Sequence, residues 1–216
     1  MKNIVVLISG RGSNLESLLR TAEEEDWRGE LGASVVAVIS NRSDAAGLDI
    51  ARVAGIATSV VDHCSFTTRE EFDRALAMQI DLHDPALVVL AGFMRVLTPQ
   101  FVRQYLGRLV NIHPSLLPAF PGLKTHERAL RAGVRVHGAT AHFVSDEVDA
   151  GGIISQAVVA VVPGDDAAAL AARVLTQEHR LLPQAVRLVI EQRVRWHDGC
   201  VVVDGAMPAD LAIFSQ

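Results

Sequence analysis

Cysteine is nearly absent from this 216-residue chain, with only Cys64 and Cys200, 136 positions apart. That spacing excludes a disulfide scaffold and the close-set ligand pairs of a zinc module, so both are read as free thiols. A basic excess is also missing. The formal charge is −5 at pH 7, whereas a general nucleic-acid surface needs a positive face, leaving room only for local basic pockets. Long apolar runs are missing too. The first one, residues 4–8, is shorter than a signal-peptide core, and no stretch approaches a bilayer span. These absences lead to the expectation of a cytoplasmic protein with no membrane or nucleic-acid partner. No Pro/Ser-rich or charge-block linker interrupts the chain, and half of its residues are apolar, which suits one domain over residues 1–216.

What is present is an alternation. The β-branched run at 4–8 has no polar interruption, as a strand covered on both faces requires. A glycine loop at 9–13 follows, then leucines at helical spacing over 14–22. The pattern repeats with strands at 35–39, 58–61, 87–90 and 109–112. Helices are expected over 45–54 with Gly55 as the stop, from the capping box Thr68/Glu71 to about residue 83, and from Thr98-Pro99 to Gly107. Such alternation predicts a Rossmann-like α/β fold, an open, mostly parallel sheet with helices on both faces. Beyond the proline-rich 114–121, Thr125 is placed to cap a short helix. Two β-prone segments, 134–144 and 153–162, then flank an acidic loop and predict antiparallel additions. A last helix begins near Asp166, kinked or restarted at Pro183, and a small strand is expected at 201–204.

Gly10-Arg11-Gly12-Ser13-Asn14 follows the first strand and opens a helix, where backbone N–H groups and the helix N-terminus favour an anion. Leu15 replaces the last glycine of a dinucleotide fingerprint, and the second strand ends in Ser40-Asn41 without a ribose-binding acid, which favours a phosphomonoester. The competing reading is a helix start capped by Ser13 and Glu16.

Asn111 and His113 lie two apart on a strand, hence on one face, at the C-terminal end where open α/β sheets bind ligands. An amide N–H beside an imidazole suits a carbonyl carbon turning tetrahedral. Asp149, the last acid before Gly151-Gly152, is placed to return a carboxylate to the imidazole and favour its protonated form. The residues alone fit equally a surface turn and a histidine satisfied by backbone.

Motifs along nearly the whole chain resolve this choice. Residues 9–15, 91–97 and 111–118, Pro121-Gly122-Leu123, Thr125-His126, the 146–151 loop and Thr176-Gln177-Glu178-His179 appear together in one order. In these the chain resembles the glycinamide ribonucleotide formyltransferases. The resemblance implies transfer of a formyl group from 10-formyltetrahydrofolate to the amine of glycinamide ribonucleotide in purine biosynthesis. It implies Asn111, His113 and Asp149 as catalytic residues. Gly12, Ser13, Asn14 and Glu178 would hold the ribonucleotide. Arg69, Met94, Arg95, Val96, Leu97, Asn111, Ser145, Asp146, Glu147, Val148 and Asp149 would bind the folate. On this basis, about 1–110 form a phosphate-binding half, about 111–195 a catalytic and folate-binding half, and 196–216 a C-terminal tail. No metal and no acyl-enzyme is expected, and the partners are the two small substrates, with a monomer or homodimer as the assembly.

Without the resemblance, Met94 and Leu97 read as core and Arg69 as a solvated charge. His137 and His142, five apart on one strand, are expected on opposite faces, the first structural and the second near the folate. Leu175 stands where the family pattern leads us to expect a polar residue, and Arg11 adds a charge to the phosphate loop. The rival activities are a formyltetrahydrofolate hydrolase, a formyltransferase with another acceptor, and a noncatalytic nucleotide-binding regulator. A transferase acting on tRNA would need a further nucleic-acid-binding domain.

Overall fold

The computed structural model describes residues 1–214, which fall into two compact units, Met1–Asn111 and Ile112–Gln216. Ser215 and Gln216, the end of the expected tail, lie outside the described residues.

The first unit is a parallel sheet. Its strands are β1 (Lys2–Ile8), β2 (Ala33–Ser40), β3 (Ala57–Val60), β4 (Pro85–Leu90) and β5 (Leu109–His113), in the order β5-β4-β1-β2-β3. Ile4, Val5, Val6, Leu7 and Ile8 have no exposure at all, so the unbroken apolar run marks a central strand covered on both faces. The order reverses at β1, which has β2 on one side and β4 on the other. The crevice at such a switch point is where open α/β sheets bind ligands. Helices α1 (Ser13–Glu24), α2 (Trp27–Glu30), α3 (Gly47–Val53), α4 (Arg69–Asp81) and α5 (Pro99–Gln104) connect the strands. The two sequence-level caps hold. Thr68 and Glu71 form a reciprocal capping box on α4, and Thr98 accepts from the Phe101 N–H ahead of Pro99 on α5.

The second unit pairs β6 (Val136–Phe143) antiparallel with β7 (Ile153–Ala160), and β10 (Ala212–Phe214) parallel with β7. Helix α6 (Thr125–Ala132) precedes them, and the long α7 (Ala167–Ile190) packs on β6 and β7 through buried Leu170, Val174, Leu181, Leu182 and Val186. Strands β8 (Val194–His197) and β9 (Cys200–Val203) form a separate hairpin, and α8 (Pro208–Leu211) leads into β10.

Three local expectations need correction. Thr125 is the first residue of α6 and not its cap; Lys124, in the left-handed region at φ 57°, takes that place. Pro183 neither ends nor restarts α7, which runs unbroken through it. Its ring deletes one helical hydrogen bond, but Pro183 and its neighbours are buried against the sheet, and that packing outweighs the loss. Residues 197–214 of the expected tail carry regular structure. β10 adds to β7, and Arg193 joins Asp210 at 2.5 Å.

Candidate active site

The glycine loop lies at the end of β1, at the switch point. Gly12 caps α1 at φ 82° and ψ 16°, a left-handed conformation that glycine adopts without strain. A Cβ there would stand 2.5 Å from the Gly47 Cα, so the bare backbone lets the loop press against the start of α3. No side chain caps α1, and Ser13 is its first residue; the capping-box reading of Ser13 and Glu16 is therefore corrected. The loop keeps the orientation of an anion cradle, with a helix N-terminus behind it. Ser13 is half-buried and Asn14 buried, while Arg11 is exposed.

The segment after β4 borders the same switch point. The Met94 N–H donates to Ser9 Oγ at 2.8 Å, and Ser9 Oγ donates to Asn41 Oδ1 at 2.5 Å, which pins the start of the 94–97 loop to the ends of β1 and β2. Met94 is 68% exposed and Leu97 half-buried, so neither is core. A large apolar side chain left at the rim of a crevice fits a binding surface better than a packing role. Arg69 is exposed at the first turn of α4.

Strand β5 carries Asn111 and His113, the first half-buried and the second 6% exposed. His113 Nδ1 lies 3.3 Å from Asp149 Oδ2, and that oxygen also accepts the Gly122 N–H at 2.8 Å. His113 Nε2 lies 3.0 Å from the Phe120 carbonyl oxygen. Both ring nitrogens thus face oxygen acceptors. His142 stands on the other side of the carboxylate, with Nε2 at 3.8 Å from Asp149 Oδ1 and Nδ1 at 2.9 Å from the Phe143 carbonyl. Burial pushes the His142 pKa down, which disfavours the charged form of that ring.

Backbone strain collects around this pair. Phe120, Lys124 and Asp149 all adopt positive φ, at 55°, 57° and 55°. Such a conformation is rare for a bulky residue such as Phe120, and it costs of order 1–3 kcal/mol. The Asp149 loop is closed by the Phe143 N–H donating to the Gly152 carbonyl at 2.8 Å. A Cβ on Gly151 would overlap the Phe143 carbonyl, which explains a glycine two positions after Asp149. Within that run Asp146, Glu147 and Val148 are exposed and Ser145 half-buried.

Several supporting residues escaped the sequence reading. Thr140 Oγ1 donates to the Ser115 carbonyl at 2.7 Å, and accepts from the Leu117 N–H at 3.0 Å and from Gln156 Nε2 at 3.0 Å. This fixes the segment that leaves β5, including the cis bond Leu117–Pro118. His126 Nδ1 and His137 Nε2 are 3.2 Å apart, the first half-buried and the second buried, with their rings crossing edge to face. Burial, then the neighbouring His126 and His113, pushes His137 down to about 4. Only strand pairing could have revealed these partners, since they lie 11 to 25 positions from the groups they hold. The face argument for His137 and His142 was incomplete, because a register shift after Ala141 interrupts the strand between them. Glu178 is buried on α7, next to buried Gln177, which accepts from Arg180 Nη1 at 3.2 Å.

A parallel sheet with a glycine loop at its switch point, and an amide and a buried imidazole at the end of β5, fit an enzyme that transfers a carbonyl-type group. Residues 2–186 match the formyl transferase family model. The chain is 48% identical over 203 residues to the phosphoribosylglycinamide formyltransferase of Escherichia coli, covering 94% of each. It is 45% identical over 192 residues to the human trifunctional purine biosynthetic protein adenosine-3, covering 19% of that longer chain. A solved phosphoribosylglycinamide formyltransferase from Coxiella burnetii superposes with a TM-score of 0.88 at 43% identity, over 99% of this chain and 98% of that one. A formyltetrahydrofolate deformylase from Pseudomonas syringae superposes at 0.84 with 32% identity, over 94% of this chain and 66% of that one. The chain belongs to the formyl transferase family, as its motifs led us to expect. Membership implies a folate-derived formyl donor. Among the described residues no helix is long and apolar enough to cross a membrane.

Proposed function

We propose that this chain transfers the formyl group of 10-formyltetrahydrofolate to the amine of glycinamide ribonucleotide, a step of purine biosynthesis in the cytoplasm, using Asn111, His113 and Asp149. The observation that carries the residue assignment is the buried His113–Asp149 contact at 3.3 Å, at the end of the strand that also bears Asn111. The substrate amine attacks the formyl carbon, whose oxygen gains negative charge. The Asn111 amide and the His113 imidazolium donate to that oxygen, with the Nε2–H exchanging the Phe120 carbonyl for the oxyanion. Asp149 keeps the imidazolium charged and oriented. As the tetrahedral centre collapses, the C–N10 bond breaks, N10 takes a proton and the amine gives one up, so the net proton count is unchanged.

Gly12, Ser13 and Asn14 receive the ribonucleotide phosphate at the α1 N-terminus, and Glu178 addresses its ribose or glycinamide end. Residues 94–97 and 145–149, with Arg69 and Asn111, receive the folate. Hydrolysis is not favoured, since the relatives matched over nearly their full length bear the transferase name. The test is to incubate the purified chain with 10-formyltetrahydrofolate, with and without glycinamide ribonucleotide. Formyl loss that requires the ribonucleotide and yields its formylated product is the expected result. Equal loss without the acceptor would assign a hydrolase.

A further inference from the structure

One cluster of chemistry-bearing side chains is used by nothing above. After β3 the chain turns through a short 3-10 segment, His63–Ser65, capped by Asp62, whose Oδ1 accepts the Cys64 N–H at 2.9 Å. Among the described residues, Asp62, His63 and Cys64 are the only group whose ligating atoms converge, all lying within 4.8 Å of one another. The geometry points to this turn as an open three-ligand site for a borderline-soft divalent cation of the zinc type, bound through Cys64 Sγ and His63 Nε2 and completed by the Asp62 carboxylate, whose Oδ1 stands 3.7 Å from His63 Nδ1 and turns toward the ion on binding.

Two observations beyond the grouping support it. His63 Nδ1 lies 2.9 Å from the Asn41 carbonyl oxygen and 3.2 Å from Asn41 Nδ2. The shorter contact selects the tautomer that donates Nδ1–H to the carbonyl, which leaves the lone pair on Nε2. A backbone carbonyl that fixes the ring in this way is the usual support of a metal-binding histidine. Asn41 is in turn anchored by Ser9 Oγ and is 2% exposed, so the support is rigid.

The second observation is the spacing. Cys64 Sγ and His63 Nε2 stand 3.6 Å apart. A tetrahedral ion bound to sulfur at about 2.3 Å and to imidazole nitrogen at about 2.0–2.1 Å sets those atoms about 3.5–3.6 Å apart. The contact that now reads as a thiol facing an imidazole already has the edge length of a tetrahedral site.

Access and charge also fit. Asp62 and Cys64 are exposed and His63 half-buried, so an ion reaches the turn directly from solvent. Arg42 is the nearby cation, and Asp44 neutralises it through contacts of 2.9 and 2.7 Å. On binding, the Cys64 S–H bond breaks, its proton goes to solvent and the thiolate pair forms the S–metal bond, with no change of oxidation state. A sulfur, nitrogen and oxygen donor set selects zinc-type ions over magnesium or calcium, which take oxygen ligands alone.

The full chain is titrated with Co(II) as a spectroscopic probe, followed by Zn(II) or Mg(II). The expected result is a thiolate-to-cobalt charge-transfer band, with tetrahedral visible bands, that Zn(II) removes and Mg(II) does not. Cys64→Ser loses the charge-transfer band, and His63→Gln weakens Zn(II) binding at least about tenfold. Cys200→Ser keeps the band, although Cys200 also has His197 and Asp198 near it in sequence. In the unsubstituted protein, Zn(II) slows alkylation of Cys64 and leaves that of Cys200 unchanged, which removes any dependence on the folding of a variant. A missing band, a band that follows Cys200, or alkylation of Cys64 indifferent to Zn(II) would overturn the assignment.

Discussion

The glycine loop of the first unit and the histidine centre of the second solve different problems with different materials. In the proposed reading the loop works mainly through backbone, with a left-handed Gly12, an uncapped helix start and the neighbouring Gly47, and only the short Ser13 and Asn14 side chains add to it. The centre works through two side chains from distant segments, His113 on β5 and Asp149 on a hairpin loop, aimed by the Gly122 N–H and the Phe120 carbonyl of the segment between. A backbone site is made by a few consecutive residues and survives change in most side chains. A side-chain site depends on every contact that aims its members, so it should respond far more steeply to single substitutions.

The steepest response is expected at His113. His113→Ala removes the oxyanion donor and proton source, and kcat should fall by about 10²–10⁴-fold with little change in ribonucleotide KM. Asn111→Ala removes one oxyanion donor and should lower kcat by about 10²–10³-fold. Steady-state kinetics on variants with native circular dichroism check both. The loop responds in the other parameter. Ser13→Ala and Asn14→Ala should each raise the ribonucleotide KM by roughly tenfold, the loss of about one hydrogen bond to an anion, and leave folate KM and kcat nearly unchanged. If instead they lowered kcat and spared KM, the division of labour between the two regions would fail.

Smaller effects sharpen the same comparison through stability. Gly12→Ala forces a Cβ into the left-handed region against Gly47 and should cost about 1–3 kcal/mol in urea unfolding. The centre contributes a pH dependence that the loop lacks. Folding lowers the His137 pKa from 6.5 to about 4. Below 6.5 the unfolded chain takes up this proton before the folded one does, so stability is full above that pH and declines as pH falls toward 4. His137→Gln should flatten the decline of unfolding free energy across that window. An unchanged slope would assign the acid sensitivity to other groups.

The same contrast explains what the sequence made legible. The strands of the first unit, its two capped helices and its glycine loop were readable because each rests on residues within about four positions of one another, where periodicity and capping act. Asn111 and His113 were readable as a pair because strand alternation puts positions two apart on one face. Asp149 was a candidate as the last acid before Gly151-Gly152, and only the family motif favoured it over a surface turn, since no local rule brings residue 149 to residue 113. Phe120, Thr140 and Gln156 were not reached at all, Gly122 entered only as part of a family motif, and His142 was expected near the folate but not beside Asp149. Their roles depend on antiparallel pairing, a register shift and positive-φ positions that leave no periodic trace. Pro183 shows the reverse case, a strong local signal overruled by tertiary packing.

The central claim is that His113 and Asp149 act as one charged unit, and a double-mutant cycle in kcat tests it most directly. His113→Ala, Asp149→Asn and the double variant are compared under saturating substrates, each with its fold and ribonucleotide binding verified. The double variant should be no slower than His113→Ala within about threefold, because Asp149 has nothing to orient once the imidazole is gone. Losses that multiply independently would contradict the account.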